Sequence, residues 1–339
     1  MKLSNDQLMA QSPTVELAPP PAQSPFSIKD FASRYALQIF TATALIAVAI
    51  LLPDFRQFSN LQDVALQSSF AGLSAAGMTL LIIGGMIDLS VAGIIALTAV
   101  TIANLLPQVP LGVAVVLALG VGALLGLVNG LIVTKLRFPP FIATYAMLNV
   151  YLAAAFIWTH ASTMALTSDS FLAFASSEIL GVPPMFIVML LGALGCSLLL
   201  HQTRFGRDLR AIGSSEVASR MAGLAVDRTR ITAFVVFGLL TSAAGIGLAS
   251  LLSSASANMS IGYELNVVAV AVVGGTSLFG GSGTLLGTVT SAVLFAALDN
   301  ALNLLNVSSY WQYVVAGVVL AAALVAASRR ELVGARGRK

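Results

Sequence analysis

Residues 111–134 read LGVAVVLALGVGALLGLVNGLIVT, a stretch without a single charged side chain. A helix needs about 20 predominantly apolar residues to cross the hydrocarbon core of a bilayer, and this stretch is long enough. Comparable apolar runs occur at 36–52, 62–84, 89–106, 141–159, 184–202, 231–252, 264–277, 284–304 and 309–327. The sequence therefore predicts about ten membrane-spanning helices, of which the eighth is short.

The composition also requires a membrane protein. Hydrophobic residues make up 58% of the 339 residues and charged residues only 9%, whereas a soluble domain is about 45–50% apolar and about 25% charged. Because so few charges cannot cover a soluble surface, the outer surface must face lipid, where only helices and closed barrels satisfy their own backbone groups. The apolar runs are continuous and do not alternate as barrel strands do. The predicted fold class is therefore all-α, a polytopic membrane helical bundle.

The basic residues predict the orientation of this bundle, because cytoplasmic loops carry an excess of lysine and arginine. With the amino terminus in the cytoplasm, only Arg56 of the 17 basic residues lies outside. This arrangement requires both termini in the cytoplasm, and it explains the basic balance of the chain without nucleic acid as a partner. We expect a disordered, proline-rich cytoplasmic tail at 1–35, a transmembrane domain at 36–328 and a basic cytoplasmic tail at 329–339.

Six arginines gather in one predicted cytoplasmic loop, residues 204–230. Inside this loop, residues 214–222 have the pattern of a short helix. Ser214 or Ser215 can cap its start, since a serine hydroxyl accepts a hydrogen bond from a free backbone N–H of the first turn. Gly223 can close its end in the left-handed conformation.

The predicted short helix has one apolar edge and a charge pattern that suits its dipole. Glu216 lies in the first turn and Arg220 near the end. Val217 and Met221 are i,i+4 neighbours, and Leu224 follows three residues later. An apolar edge of this kind fits either a groove on a partner protein or the surface of the bilayer, and the charged flanks favour the partner.

The loop motif GRDLRAIGSSEVASRMAGL (206–224) resembles the cytoplasmic coupling loop of one transporter family. This family comprises the inner-membrane permeases of ATP-binding-cassette (ABC) importers for ribose, arabinose and xylose. The resemblance extends over nearly the whole chain after the tail, in the same order, through GGMIDLSVAG (84–93), VNGLIVTKLRFPPFIAT (128–144), GYELNVVAVAVVGGTSLFGGSGTLLGT (262–288) and DNALNLLNVSSYWQYVVAG (299–317). Two departures concern the coupling contact: Ser214-Ser215 stands where the family often has Gly-Asn, and Ala218-Ser219 where it often has Ala-Ala.

The resemblance implies a permease subunit without catalytic residues, in the inner membrane of a bacterium. It implies four kinds of partner: an ABC subunit that binds ATP and Mg, a periplasmic or secreted sugar-binding protein, a second permease copy and the lipid bilayer. No lysine of this chain follows a glycine, so the phosphate-binding motif G-x-x-x-x-G-K-S/T is absent. The resemblance assigns coupling to the ATPase to Gly213, Ser214, Ser215, Glu216, Val217, Ala218, Arg220, Met221 and Gly223.

Two glycine-rich breaks interrupt the apolar chain, at 84–90 and at 274–283. Paired glycine interruptions in the two halves of a transporter point to discontinuous helices around a transport site. Two tight turns between ordinary helices are the alternative. Polar groups in the spans suit a neutral sugar, although each could instead bond a neighbouring helix, and Asp88 could instead cap the third span. The candidate pathway or gate residues are Asp88, Ser90, Asn129, Phe141, Thr144, Gly274, Gly275, Asn300 and Asn303.

Other classes of function remain open at this stage. Tyr263 and Glu264 could contact the sugar-binding protein or only mark a helix start. A proton-coupled secondary transporter would use Asp88 or Glu264, and permeases for branched-chain amino acids have a related architecture. A membrane enzyme is disfavoured because the sequence offers no convincing Ser/His/Asp or metal constellation, and no metal site is expected. The resemblance favours a monosaccharide, a pentose or a related sugar.

Overall fold

The computed structural model describes residues 36–308 and positions 311, 314, 317 and 318. All of these residues except Ala36 belong to one compact unit, Leu37–Lys339. In chain order the elements are α1 (Ala36–Leu51), a 3₁₀ helix (Pro53–Arg56), α2 (Phe58–Ile83), α3 (Val91–Leu105), α4 (Leu111–Lys135), α5 (Pro140–Thr159), β1 (Met164–Ala165), α6 (Asp169–Ser176), α7 (Pro184–Gln202), α8 (Arg204–Ser214), α9 (Glu216–Met221), α10 (Val226–Leu252), β2 (Ser254–Ala255), α11 (Tyr263–Val273) and α12 (Leu285–Leu304). The strands β1 and β2 form a two-residue antiparallel pair. The described part is therefore helical apart from this small pair, as the sequence predicts.

The helices form a membrane bundle with a buried centre and a lipid-facing rim. Within the described residues, α2, α4, α5, α7, α10 and α12 are long and apolar enough to cross a membrane. In the most apolar 18-residue stretch of α2, 83% of the residues are buried, against 28% in α4 and in α5. The helix α2 is therefore central, and α4 and α5 present much of their apolar surface outward, as a bilayer requires.

Small residues hold α4 against α10. A methyl group added at Gly126 would overlap with the backbone carbonyl of Phe234, and one added at Gly238 would overlap with the carbonyl of Gly122. Lipid tails are as apolar as leucine, so helices in a membrane associate by close van der Waals packing, which small residues allow. Glycines at a spacing of four residues in α4 therefore place the two backbones in direct contact.

The first nine predicted spans coincide with helices. The largest shifts, of four or five residues, are at three helix ends: α2 begins at Phe58 and not at 62, α10 begins at Val226 and not at 231, and α11 ends at Val273 and not at 277. The tenth predicted span, 309–327, lies outside the described residues except for four positions, all helical. The predicted tails, 1–35 and 329–339, also lie outside them. The sequence analysis did not predict α6 or α8.

In the described part of the chain, three of the apolar helices, α1, α3 and α11, are too short to cross the bilayer alone. At 1.5 Å per residue, α3 rises about 22 Å and α11 about 16 Å, against a hydrocarbon core of about 30 Å. The chain enters α3 and α11 through non-helical segments, 84–90 before α3 and 256–262 before α11. The second segment contacts the start of α3, where the Ser260 hydroxyl donates to the Ala92 carbonyl at 3.0 Å. Non-helical backbone at membrane depth is tolerated only when protein covers it, as here.

One end of the bundle collects the arginine-rich loop and both glycine breaks. We define the arginine end by the segments 84–90, 203–225 and 274–284. Contacts between these segments, given below, place them together. The Lys135–Asp227 ion pair at 3.2 Å joins the end of α4 to the start of α10. The opposite end carries the 3₁₀ helix, β1, β2 and the loop that contains Leu180.

Candidate coupling surface and translocation site

The arginine-rich loop contains the short helix predicted within 214–222, which is α9, and a preceding helix that was not predicted, α8. The first, α8, ends at Ser214, and the second, α9, begins at Glu216. Between them Ser215 is extended, with φ −162° and ψ 105°, and its hydroxyl accepts a hydrogen bond from the N–H of Ala218 at 3.3 Å. Ser215 is therefore the capping residue, whereas the Ser214 hydroxyl donates to the Arg210 carbonyl within α8. The extended backbone of Ser215 therefore separates α8 from α9.

The helix α9 presents its apolar edge to the outside. Val217 is 70% exposed and Met221 is 85% exposed, although both are apolar. After the helix, Gly223 has φ +79°, and the N–H of Leu224 donates to the Ser219 carbonyl at 3.0 Å. This is the predicted left-handed glycine end, with the hydrogen bond of a Schellman motif. The apolar edge of α9 is therefore an exposed surface, and the helix that carries it has a defined end.

Ion pairs fix α9 to the start of α10. Glu216 pairs with Arg220 at 3.0 Å and with Arg230 at 2.8 Å, and Arg220 also pairs with Asp227 at 2.8 Å. Partial burial opposes ionisation of the Glu216 carboxyl, but its hydrogen bonds and attraction to the two arginines prevail and lower its pKa. The charged flanks therefore position a short helix that would be marginal alone.

The end of α8 packs directly on both glycine breaks. A methyl group added at Gly213 would overlap with the carbonyl oxygen of Ile83 and would lie 2.6 Å from the N–H nitrogen of Gly281. The Gly281 N–H in turn donates to the Ile83 carbonyl at 2.8 Å. Three segments that are far apart in sequence therefore meet through backbone atoms. We call this contact of Ile83, Gly213 and Gly281 the glycine junction.

Both glycine breaks begin with the same helix ending. At the end of α2, Gly85 has φ +75°, and the N–H of Met86 donates to Leu81. At the end of α11, Gly275 has φ +89°, and the N–H of Thr276 donates to Ala271. Each is a Schellman motif, in which the left-handed position favours glycine. The two breaks therefore begin with equivalent helix ends. The first break precedes the short helix α3, and the second follows the short helix α11. This arrangement fits discontinuous helices better than ordinary turns.

A buried polar network follows the first break. The Asp88 carboxylate is fully buried and accepts hydrogen bonds from the Ser90 N–H at 2.7 Å, the Ser90 hydroxyl at 2.6 Å and the Asn129 amide at 2.8 Å. The Tyr151 hydroxyl donates to the Asn129 carbonyl at 2.8 Å. The Thr144 hydroxyl accepts from the Leu89 N–H at 3.0 Å. Buried polar groups need such partners, so the network locks segment 84–90 onto α4 and α5.

The other candidate pathway residues lie in different surroundings. Phe141 is 59% exposed on the outer surface. A methyl group at Gly274 would lie 2.7 Å from the Thr288 nitrogen, so Gly274 brings α11 onto α12. Asn300 exchanges hydrogen bonds with Asn60, at 2.9 and 3.0 Å. Asn303 lies in the last turn of α12, beside the opposite end.

A cavity of about 660 Å³ lies between α2, α10, α11 and α12, toward the opposite end. Apolar side chains such as Phe70, Met259 and Phe295 form much of its wall. Its polar side chains are those of Gln67, Ser68, Asn258, Tyr263, Asn266 and Asp299. An apolar concave site with a few polar groups is the usual form of a small-molecule site. Of the sequence-predicted site residues, only Tyr263 belongs to it.

Glu264 stabilises the start of α11. Its carboxylate accepts a hydrogen bond from the Gly262 N–H at 3.2 Å, and Gly262 has φ +94°. Among the described residues, no group of three or more His, Cys, Asp or Glu side chains could hold a metal ion. The two histidines, His160 after α5 and His201 at the end of α7, lie at opposite ends of the bundle.

Comparison with known proteins adds independent information. The profile of one family, described as branched-chain amino acid transport system / permease component, matches residues 60–324. The ribose import permease protein RbsC of Escherichia coli (strain K12) is 38% identical over 289 residues, which cover 84% of this chain and 90% of that protein. The L-arabinose transport system permease protein AraH of the same strain is 39% identical over 306 residues, covering 89% and 93%. RbsC of Bacillus subtilis (strain 168) is 39% identical over 287 residues, covering 83% and 88%. No solved structure matches.

Proposed function

The chain belongs to the family of branched-chain amino acid transport system / permease components, and we propose that it is the membrane-spanning permease subunit of an ABC importer for a monosaccharide. The similar relatives are named for ribose and L-arabinose, which are pentoses. Their match covers nearly the whole length of both chains. A pentose or a related sugar is therefore the proposed substrate, and a branched-chain amino acid is the less favoured alternative.

The proposed topology has ten spans with both termini in the cytoplasm of a bacterium. The nine observed apolar helices supply the first nine spans, and 309–327 supplies the tenth. The arginine end faces the cytoplasm, because the arginines of 204–230 follow the positive-inside rule. The opposite end, with the cavity beside it, then faces outward, where a periplasmic or secreted sugar-binding protein would deliver substrate near Tyr263 and Glu264.

The exposed edge of α9 carries the proposal that a separate ATPase drives transport. Val217 and Met221 are exposed apolar side chains at an aqueous end of the bundle, and an amphipathic helix of this kind fits a hydrophobic groove on a partner. The partner subunit would bind ATP and Mg. This chain would hold no cofactor and would catalyse no covalent step.

Movement of α9 would reach the membrane segments through the glycine junction. The helix α8 is continuous with α9 except at Ser215, and its end touches Ile83 and Gly281 through the backbone. Backbone contacts have little freedom to rearrange, so a displacement of α8 would move the ends of α2 and α11 with it. Two copies of the permease would then alternate between an outward-open and an inward-open arrangement around the sugar.

The buried acid gives less support to a proton-coupled transporter. Asp88 accepts three hydrogen bonds and is not among the residues that line the cavity. A proton-coupling acid has to meet the transport path when its charge changes. Replacement Asp88→Asn should therefore lower stability without creating a pH-independent transporter.

Labelling and cross-linking from each side of the membrane test the proposal. We expect Met221→Cys to react with a membrane-impermeant maleimide only in inside-out vesicles, and Leu180→Cys, 99% exposed at the opposite end, only in right-side-out vesicles. The native Cys196 is buried and stays as a silent background. Val217→Cys should form cross-links to the co-expressed ATPase. Reaction of Met221→Cys from the outer side would overturn the orientation and the coupling role together.

A further inference from the structure

The cavity contains an acid that the polar networks of the bundle leave alone. Asp299 is half-buried in α12 and lines the cavity. In the part of the chain that the structure describes, its carboxylate has no hydrogen-bond or ion-pair partner. Its neighbour Asn300 is different, because that side chain is engaged with Asn60. Placing an ionisable side chain inside a membrane segment costs free energy, so such a residue normally has a function. Because Asp299 lines the cavity, its function is expected there.

The other polar groups of the cavity are neutral. Gln67, Asn258 and Asn266 offer amides that both donate and accept hydrogen bonds. Among the described lining residues there is no lysine, arginine or histidine. The buried oxygen of the Asn266 amide also has no hydrogen-bond partner in the described structure. These amides and the free carboxylate on apolar walls match the hydroxyl groups and C–H faces of a sugar.

The charge of Asp299 has a further consequence for selectivity. A carboxylate accepts hydrogen bonds from substrate hydroxyls, but it repels a second anion strongly where the walls are apolar and the effective dielectric constant is low. No cation on the described wall would offset that repulsion. A sugar acid or a sugar phosphate would therefore be excluded from a space that admits the parent sugar.

We propose that this cavity forms part of the sugar passage that the two permease copies enclose, and that Asp299 is a specificity-determining residue, which admits neutral polyhydroxylated molecules and rejects anionic ones. This inference rests on the proposed function, because it assumes that the sugar passes this cavity on its way between the two copies. It adds a selectivity step within the permease, distinct from the selection that a separate binding protein performs.

Charged thiol reagents test the electrostatic potential inside the cavity directly. In a Cys196→Ser background, Ala71→Cys, on the apolar wall of the cavity, is treated with cationic and anionic methanethiosulfonates of similar size. After normalisation to a free thiol, we expect the cationic reagent to react about tenfold faster, the order expected for one nearby charge in a partly buried site. Adding Asp299→Asn should bring the ratio close to one. Asp169→Asn, an exposed acid on α6, serves as the matched control and should leave the ratio unchanged.

Transport by the complete importer separates this inference from the proposed function. We expect ATP-driven uptake of ribose or arabinose by the unlabelled Ala71→Cys transporter and its loss after labelling, whereas labelling at Leu180→Cys should have no effect. A charge ratio of one with Asp299 present, or full uptake after labelling of Ala71→Cys, would overturn the inference and leave an ATP-driven importer standing. Absence of any ATP-driven sugar uptake in the parent would instead contradict the proposed function. Elution of each variant as a folded species in size-exclusion chromatography excludes misfolding as the cause.

Discussion

The replacement Gly213→Ala tests whether the glycine junction transmits movement from α9 to the membrane segments. The added methyl group would overlap with the Ile83 carbonyl oxygen and approach the Gly281 nitrogen to 2.6 Å. Both neighbours are backbone atoms, so neither can rotate away as a side chain would. Overpacking of this kind costs about 1–3 kcal/mol. The end of α8 must therefore move away from one or both glycine breaks.

The effect on transport follows from this cost. If the strain falls on one of the two transport states and not the other, about 1–3 kcal/mol changes their ratio about 5- to 150-fold. We expect ATP-driven sugar uptake to fall at least about fivefold. The exposed edge of α9 is not altered, so the ATPase should still co-purify with the permease.

A matched glycine supplies the control. Gly195 lies within α7, and a methyl group added there would have no neighbour within 4 Å. Gly195→Ala should therefore keep uptake at the parent level, because alanine favours a helix over glycine by about 0.5–1 kcal/mol. Full uptake by Gly213→Ala would refute the reasoning, since the junction would then carry no movement. Loss of ATPase co-purification would also refute it, because the residue would act at the docking surface.

Three further changes probe the network and the coupling helix. Asn129→Ala removes a donor from a fully buried carboxylate, and it should lower the free energy of unfolding by about 1–3 kcal/mol; an unchanged thermal midpoint in detergent would contradict the network. Ser215→Ala should destabilise α9 by about 0.5–2 kcal/mol and speed tryptic cleavage within 204–230, whereas Ser214→Ala should not, and equal cleavage of the two variants would disprove the capping role. The pKa of Glu216 is lowered in the folded chain, so its stabilisation is present above its ordinary value of 4.5 and is lost as the pH falls below it. The thermal midpoint of Glu216→Gln should accordingly lie below that of the parent at neutral pH and merge with it in acid, and a constant difference would count against the ion pairs.

The helices were predictable because a membrane imposes a simple rule on sequence. Each apolar run long enough to cross the core became a helix in the described part of the chain, with ends shifted by a few residues. The glycine breaks were also readable, since Gly85 and Gly275 hold left-handed positions that disfavour other residues. Local chemistry therefore defined where helices stop.

Long-range contacts could not be read from the sequence. Nothing near Gly213 indicates that its backbone meets Ile83 and Gly281, because this contact depends on how three distant segments pack. The separate helix α8 was missed for a related reason. Its few buried side chains, Leu209 and Ile212, have apolar neighbours only after the bundle has formed.

Asp88 and Asp299 show how an apolar context can mislead. The sequence analysis singled out Asp88 as the acid most deeply set among apolar residues, and Asp88 is fully buried. The structure surrounds it with hydrogen-bond donors, however, and it is Asp299 that lines the cavity. Both acids lie in apolar stretches, so the rule that such acids are functional applies equally to both. Only the packing of α12 against α2 and α11 separates them.

Reconstituted transport measures the central claim most directly. Proteoliposomes are prepared with the permease alone, with the permease and its ATPase, and with the ATPase and a permease that carries Val217→Asp and Met221→Asp on the edge of α9. With binding protein, ribose or arabinose outside and ATP inside, we predict accumulation of sugar only in the second preparation. Accumulation against a gradient by the permease alone, or undiminished uptake by the doubly substituted permease, would contradict the account.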